Sequence, residues 1–331
     1  MKKRHNQILV GILVVQIILS VVVFWPRSSA AVAGEPLFPD LESGDVVALT
    51  ITDANGDEIR LSKVDGGGST EPAGVWVLPD VDDYPAQADK ITPLLDGITG
   101  LTTGRLVTRT DASQERLQVA PDDFQRRIEF ETQAGTMYIL YLGSSPSYGA
   151  THFRIGGQSE TYLTDAISTW ETGATAASWI DAAYLSVTLA DVNKVTLENH
   201  NGTFVFVRAE EDNWTMEGLA EDETLAETNV TATIRQAASL NMIDPLGKAE
   251  QASYGMDEPN AVATLETDAG TITLRVGAKD AGDNSYVVIS SESPYYVRVS
   301  EYSVRNLVEN TRDNFLELPP TPTPEESTDT Q

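Results

Sequence analysis

Apolar and polar residues alternate along residues 45–51 and again along 59–61, on either side of Asn55-Gly56. This alternation is typical of strands that bury one face. An Asn-Gly pair between two such runs is typical of a type I′ turn, in which both central residues have positive φ. The pattern therefore predicts a β-hairpin at the start of the first half of the chain.

The same features return in the second half. Alternation along 191–197 leads to Asn201-Gly202, and the hexapeptide Glu-Thr-Gln-Ala-Gly-Thr at 131–136 returns as Glu-Thr-Asp-Ala-Gly-Thr at 266–271. Both hexapeptides lie between alternating runs, which is again the pattern of a hairpin. Each half is therefore predicted to contain two hairpins.

A tryptophan and a short helix are predicted between the two hairpins of each half. Trp76 precedes the helix in the first half, and Trp214 precedes it in the second. Apolar residues at helical spacing form one face of each helix, and Thr233 makes that face thinner in the second. The two faces consist of Ile91, Leu94, Leu95, Ile98 and Leu101, and of Val230, Ile234, Ala237 and Leu240.

Each half is also predicted to end on a strand and a capped helix. The strands are residues 151–155 and 285–289, and the helices follow Thr164 and Ser300, each with an acid next in the chain. Hydroxyl and carboxylate groups stabilise the N-terminus of a helix, where backbone N–H groups lack partners. In the second half, the buried face of this helix is supplied by Val304, Leu307 and Val308.

Two hairpins, a tryptophan and two helices in the same order indicate a tandem duplication. The predicted fold is α+β, with residues 45–181 and 191–317 as two tandem repeats of an antiparallel sheet-plus-helices unit.

The N-terminus has the pattern of a membrane signal: residues 1–7 are basic, and residues 8–25 are apolar with few interruptions. A helix of this length approaches the ~30 Å thickness of the hydrocarbon core, and a basic flank stays in the cytoplasm. We therefore expect a single-pass transmembrane signal-anchor in the cell membrane, with the bulk of the chain extracytoplasmic. Cleavage after Ala33 is the alternative. Residues 26–44 are predicted to be a linker, and 318–331 a disordered tail.

Composition excludes several classes of function. The net charge is -28 at pH 7, from 50 acidic and 22 basic residues, and the chain contains no Cys. An acidic surface repels phosphates, so no nucleic-acid partner is expected. Without Cys there are no disulfides, thiolate metal sites or Cys nucleophiles.

Few residues are candidates for chemistry. Asp53, Asn55 and Asp57 have the spacing of a calcium loop, but Glu58 stands where such a loop requires Gly, so a plain hairpin turn is predicted. The three His residues, His5, His152 and His200, are too scattered for a zinc site or a catalytic triad. The chain also contains three acidic runs, Asp80/Asp82/Asp83, Glu210/Glu211/Asp212 and Glu221/Asp222/Glu223. Such runs usually form a solvated face.

One further motif is the run Tyr-Gly-Met-Asp-Glu-Pro at 254–259, which leads into a hairpin and Gly277. A Gly at this place predicts a turn with positive φ. In the first half, Arg116-Leu117 stands where Tyr-Gly would. With the signal-anchor and the two tryptophans, the motif resembles the family called domain of unknown function 4340 (DUF4340). The resemblance is strongest at 254–299.

This resemblance implies a bacterial, membrane-anchored protein with an accessory role beside transporter-like components, and it supplies no catalytic residues. The expected function is therefore that of a non-catalytic extracytoplasmic accessory or scaffold protein. Its expected partner is a membrane complex such as an ABC transporter, and no cofactor or metal is expected. The alternatives are an exported hydrolase, or a polysaccharide- or peptidoglycan-binding module that uses aromatic residues. Those aromatic residues are Trp170, Trp179, Trp214, Tyr295 and Tyr296.

Overall fold

The structure is a computed structural model and describes residues 34–64, 74–209 and 213–317. The predicted span 8–25, the tail 318–331 and the acidic run 210–212 lie outside the described residues. Among the residues described, no helix is long and apolar enough to cross a membrane. Within the predicted linker 26–44, Phe38 is buried against the first half and packs edge-on against Phe130.

The chain is mixed α+β, and its helices in the described part are α1 (Ala88–Thr99), α2 (Asp111–Leu117), α3 (Glu227–Ala238) and α4 (Glu301–Glu309). The strands of the first half are β1 (Val46–Asp53), β2 (Glu58–Lys63), β3 (Trp76–Leu78), β4 (Tyr84–Pro85), β5 (Leu106–Thr108), β6 (Val119–Ala120), β7 (Asp123–Phe124), β8 (Arg126–Thr132), β9 (Met137–Leu142), β10 (Thr151–Ile155) and β11 (Thr161–Thr164). The remaining strands are β12 (Ala183–Ser186), β13 (Val192–Asn199), β14 (Gly202–Arg208), β15 (Trp214–Met216), β16 (Ser239–Asn241), β17 (Asp244–Gly247), β18 (Ala261–Thr267), β19 (Gly270–Lys279), β20 (Tyr286–Ser290) and β21 (Tyr296–Val299).

Two large antiparallel sheets dominate the described part of the chain. The first has the strand order β4-β3-β2-β1-β8-β9-β10-β11-β5, and the second has the order β15-β14-β13-β18-β19-β20-β21-β17. Apart from the additional strand β4, the two orders match strand for strand. Two small sheets, β6-β7 and β12-β16, accompany them.

The predicted hairpins are confirmed, but the prediction of type I′ turns is wrong. Gly56 and Gly202 have positive φ, at 90° and 139°, whereas the preceding Asn55 and Asn201 do not. In each turn, the residue two places before the asparagine caps the backbone instead. Asp53 Oδ1 accepts from the N–H of Asn55 at 2.8 Å. In the second half, Asn199 Oδ1 accepts from the N–H of Asn201, also at 2.8 Å.

The helices after each tryptophan are confirmed, and so is the burial of Trp76 and Trp214, which are 4% and 6% exposed. Helices α1 and α3 bury the predicted apolar faces, and Leu101 and Leu240 are buried just beyond the helix ends. Apolar residues of both halves form one continuous hydrophobic core. The core therefore does not divide the chain into two independent bodies.

Of the two predicted terminal helices, only one forms. Ser300 caps α4 by accepting from the N–H of Ser303. After Thr164, however, residues 165–175 form no α-helix, and the Thr164 hydroxyl accepts from the N–H of Ala166 at 3.0 Å. This segment contains Gly173 and the β-branched residues Thr169, Thr172 and Thr175, which are weak helix formers. The second helix of the first half is instead α2, which the sequence patterns did not predict.

The halves are joined by tyrosines and by a turn in an uncommon conformation. Asp82 and Asp83 both adopt the left-handed region, with φ of 57° and 59°. Their carbonyl oxygens accept from the hydroxyl of Tyr295 at 3.3 and 2.9 Å. The Asp82 carboxylate accepts from the N–H of Lys248 at 2.6 Å, so the turn is fixed by residues of the second half.

Candidate functional site

A groove of about 440 Å³ lies between α1 and the irregular segment 165–180. Leu94, Ile167 and Trp179 contribute its apolar lining, and polar groups come from Asp89, Lys90, Glu171 and Ser178. Trp170 also lines it and is 77% exposed. A concave, mainly apolar surface with a few polar groups is the usual form of a small-molecule site.

The groove exists because the two halves differ at this place. In the second half, α4 packs on α3, with the side chain of Gln236 accepting from the N–H of Asn306 and donating to the carbonyl of Tyr302. In the first half, the segment 165–180 takes the place of such a helix. It approaches α1 closely at Gly97, where a Cβ atom would lie 2.5 Å from Ile167 Cγ2.

Hydrogen bonds hold the segment around Trp170 in one conformation. Glu171 Oε2 accepts from both the N–H and the hydroxyl of Ser168, at 3.1 and 2.6 Å. The Thr172 hydroxyl donates to the carbonyl of Ser168 at 3.3 Å. Arg126 Nε donates to the carbonyl of Thr172 at 2.6 Å, which ties the segment to β8. Trp170 is therefore exposed on a fixed support.

The groove walls carry charge of both signs. Lys90 Nζ donates to the carbonyl of Ile180 at 2.9 Å, so its ammonium group is engaged in closing one end of the segment. Within the described residues, the Asp89 carboxylate and the second oxygen of Glu171 accept no hydrogen bond. The groove therefore offers acceptors to a bound molecule.

The five aromatic residues proposed from the sequence are mostly buried. Trp179, Trp214, Tyr295 and Tyr296 are between 1% and 7% exposed, and only Trp170 among the five presents its ring to solvent. Trp179 lines the same groove as Trp170, whereas the other three lie elsewhere. These five residues therefore do not form one aromatic binding face.

The Tyr254-Gly255 motif allows two backbone segments to pack closely. Gly255 has a φ of 65°, as predicted for a turn, and a Cβ atom on Gly277 would lie 2.0 Å from the carbonyl oxygen of Tyr254. The close approach therefore requires glycine at 277, and glycine suits the left-handed conformation at 255.

In the first half, the corresponding pair is Leu117-Gln118 rather than Arg116-Leu117. Gln118 has the left-handed φ of 57°, and a Cβ atom on Gly143 would lie 2.1 Å from the carbonyl oxygen of Leu117. The alignment expected from the sequence is therefore wrong by one residue. The left-handed turn and the close approach of its carbonyl to a glycine identify the correct pair.

The remaining candidates form no reactive cluster. His152 is buried, with Nδ1 2.7 Å from the carbonyl oxygen of Ser144, and His200 is exposed beside a turn. Asp53 is occupied in its hairpin turn, as predicted. His5 lies outside the described residues. In the described part of the chain, no three His, Asp or Glu side chains are grouped so that they could hold a metal ion.

Sequence reasoning missed the groove because its residues come from a helix and from a segment without periodicity. The available signal was Trp170, a large ring within the polar run Ser-Thr-Trp-Glu-Thr at 168–172.

The described chain is thus an α+β protein of two antiparallel sheets that share a core. The sequence pattern of the family described as "Domain of unknown function (DUF4340)" matches residues 76–259, which is more than half of the chain. The protein belongs to the DUF4340 family, as the motif indicated. No curated protein and no solved structure is significantly similar to the chain.

Proposed function

We propose that the protein is a non-catalytic, membrane-anchored accessory or scaffold protein. Its sheets would lie outside the cytoplasm and bind a transporter-like membrane complex. In this proposal residues 8–25 span the membrane once, and two tandem units, 45–181 and 191–317, make up most of the remaining chain.

One observation carries the proposal: the first described residues are fixed beside an exposed apolar strand edge. Leu37 donates its N–H to the carbonyl of Leu101 at 2.8 Å, and Thr103 donates its N–H to the carbonyl of Glu35 at 3.0 Å. The ~8 residues between the proposed span and Gly34 reach at most about 28 Å. A retained anchor would therefore keep this edge close to the bilayer.

The edge is strand β5, which begins three residues after Thr103. Leu106 and Val107 are 42% and 45% exposed, and β5 ends its sheet in the described part of the chain. An edge strand presents unpaired backbone groups that accept a strand from a partner, and exposed apolar side chains favour such contact. We name residues 105–109 the β5 edge.

Charge supports a partner at the β5 edge. Arg105 and Arg109 flank its apolar residues, in a chain with only 22 basic residues against 50 acidic ones. Arg109 is paired with Glu160 at 3.1 Å, and that pair is exposed. A complementary partner segment would be extended and would carry acidic residues beside apolar ones.

The duplication is supported by matching details in the two sheets. Trp76 pairs with Lys63 across β2 and β3, and the Lys63 ammonium lies 5.3 Å from the centre of the indole ring. Trp214 pairs with Arg208 across β14 and β15, with its guanidinium at 4.8 Å from the ring centre. Together with the shared strand order, these pairs support descent of both units from one ancestor.

Site-specific photocrosslinking of the full-length protein in native membranes tests the proposal. A photoreactive residue replaces Val107, and the matched control replaces Tyr302, which is 75% exposed on α4 in the second unit. We expect Val107 to capture permease-type proteins and Tyr302 to capture none. Equal capture at both positions, or no permease-type protein captured at Val107, would contradict the proposal.

The anchor is tested separately. External protease added to intact spheroplasts is expected to degrade residues 34–317, and protection of these residues would refute the proposed topology. A mature protein that starts at Gly34 would refute the retained anchor alone. The alternative function, binding of an envelope polysaccharide, is favoured by one observation, the exposed ring of Trp170.

A further inference from the structure

We propose that the groove between α1 and the segment 165–180 binds a neutral saccharide, which stacks one sugar face on Trp170. This site is separate from the β5 edge, so it does not depend on the proposed scaffold function. It gives the protein a ligand of defined chemistry.

The first argument is the exposure of Trp170 on a fixed support. A large aromatic ring that is 77% exposed gives up the free energy that its burial would provide. The hydrogen bonds of Ser168, Glu171 and Thr172 nevertheless hold the surrounding segment in place. A ligand that covers the ring would recover this free energy without a further cost for ordering the segment.

The second argument is the composition of the groove. Its volume of about 440 Å³ lies in the range of small-molecule sites, and Leu94, Ile167 and Trp179 line it with apolar surface. The Asp89 and Glu171 carboxylates, the Ser178 hydroxyl and the Lys90 ammonium group are its hydrogen-bonding groups. Carboxylates only accept hydrogen bonds, and a sugar combines apolar C–H faces with hydroxyl donors.

The third argument is charge. Two carboxylates line the groove, and the Lys90 ammonium group already donates to the carbonyl of Ile180. The chain as a whole has a net charge of -28. Anionic polymers and acidic peptides are therefore repelled, whereas a neutral saccharide is not.

The fourth argument is that the segment packed on α1, which forms one wall of the groove, differs from its counterpart in the second unit. The corresponding place in the second unit is filled by α4, which packs on α3 through Gln236. Two units with the same strand order thus differ where a ligand site has formed. The residues of the groove all lie within the segment 76–259 that matches the family.

Binding of cellotetraose, chitotetraose and maltotetraose to the detergent-solubilised full-length protein tests the proposal. Isothermal titration calorimetry gives the affinity, and Trp fluorescence reports on the indole environment. We expect saturable binding of at least one of these neutral oligosaccharides. Trp170→Ala should weaken binding roughly tenfold or more, because loss of a buried contact worth about 1.4 kcal/mol has that effect. Trp170→Phe should retain part of the affinity.

Matched controls separate binding from folding. Tyr302→Ala removes an exposed aromatic ring outside the groove and should leave the affinity unchanged. Trp170→Ala should keep the wild-type melting temperature, because the ring is exposed. No saturable binding of the three probes, or equal affinity in Trp170→Ala and wild type, would overturn the proposal. Selective binding of a proline-rich peptide in their place would also overturn it. None of these results changes the expected crosslink at Val107.

Discussion

The hydroxyl of Tyr184, in the segment that joins the two halves of the chain, should contribute strongly to stability. Tyr184 lies on β12, and its hydroxyl donates to the carbonyl of Tyr295 at 2.8 Å and accepts from the N–H of Ser290 at 2.8 Å. Tyr295 in turn contacts the ring of Tyr84 in the first half of the chain, with the ring centres 4.7 Å apart. Replacing Tyr184 with Phe removes the hydroxyl and keeps the ring.

The expected cost follows from the burial of the two groups that lose their partner. Ser290 and Tyr295 are 2% and 4% exposed, so water reaches neither backbone group easily. Each unsatisfied buried group costs about 1–3 kcal/mol. If each cost lies in the lower to middle part of this range, the two groups together cost about 3 kcal/mol. For a chain of this size, that loss lowers the melting temperature by roughly 6 °C.

Urea unfolding of the full-length protein in detergent, followed by circular dichroism, measures this cost. Tyr302→Phe is the control, because Tyr302 is 75% exposed, and its stability should change by less than about 0.5 kcal/mol. A Tyr184→Phe protein as stable as this control would refute the reasoning. Two separate unfolding transitions in the wild type would refute the continuous core.

Three further results are expected. Gly277→Ala should destabilise the protein by roughly 2 kcal/mol in urea unfolding, because its Cβ would overlap the carbonyl of Tyr254. Gly44→Ala is the control and should be neutral, because its Cβ would meet no atom within 4 Å. Burial raises the pKa of Tyr84 and Tyr296 from 10.0 to about 12, so their contribution to stability is complete below pH 10 and is lost as the pH rises towards 12. A melting temperature that stays constant across that window would contradict this. The melting temperature should also rise gradually with NaCl, because salt screens the acidic surface. A saturable rise at micromolar calcium, absent with magnesium, would indicate a specific site instead.

Sequence patterns predicted the elements that form through local alternation. The hairpins at Asn55 and Asn201 and the faces of α1 and α3 follow from periods of two and of 3.6 residues, which depend only on neighbouring residues. The same reasoning failed after Thr164, where a capping residue is present but Gly173 and several Thr residues make the following segment a weak helix former. A cap stabilises a helix end, and burial of a face is needed to stabilise the helix itself.

Features that combine distant residues could not be predicted from one sequence. The groove joins Leu94 of α1 to Trp170 across about 75 residues of chain, and no periodicity relates them. The junction of Asp82 with Tyr295 likewise depends on how the sheets pack. The correspondence of Gln118 with Gly255 became visible only through backbone conformation, because a left-handed Gln has no sequence signature.

The segment that matches the family contains only part of each large sheet. Residues 76–259 exclude β1 and β2 of the first sheet and β18 to β21 of the second. Strand β8 would lose β1, and β13 would lose β18, so two central strands would become open edges. Exposed apolar edges of this kind pair with other chains. A fragment cut at the limits of the match should therefore aggregate, and a fragment that keeps both large sheets intact must include all strands from β1 to β21.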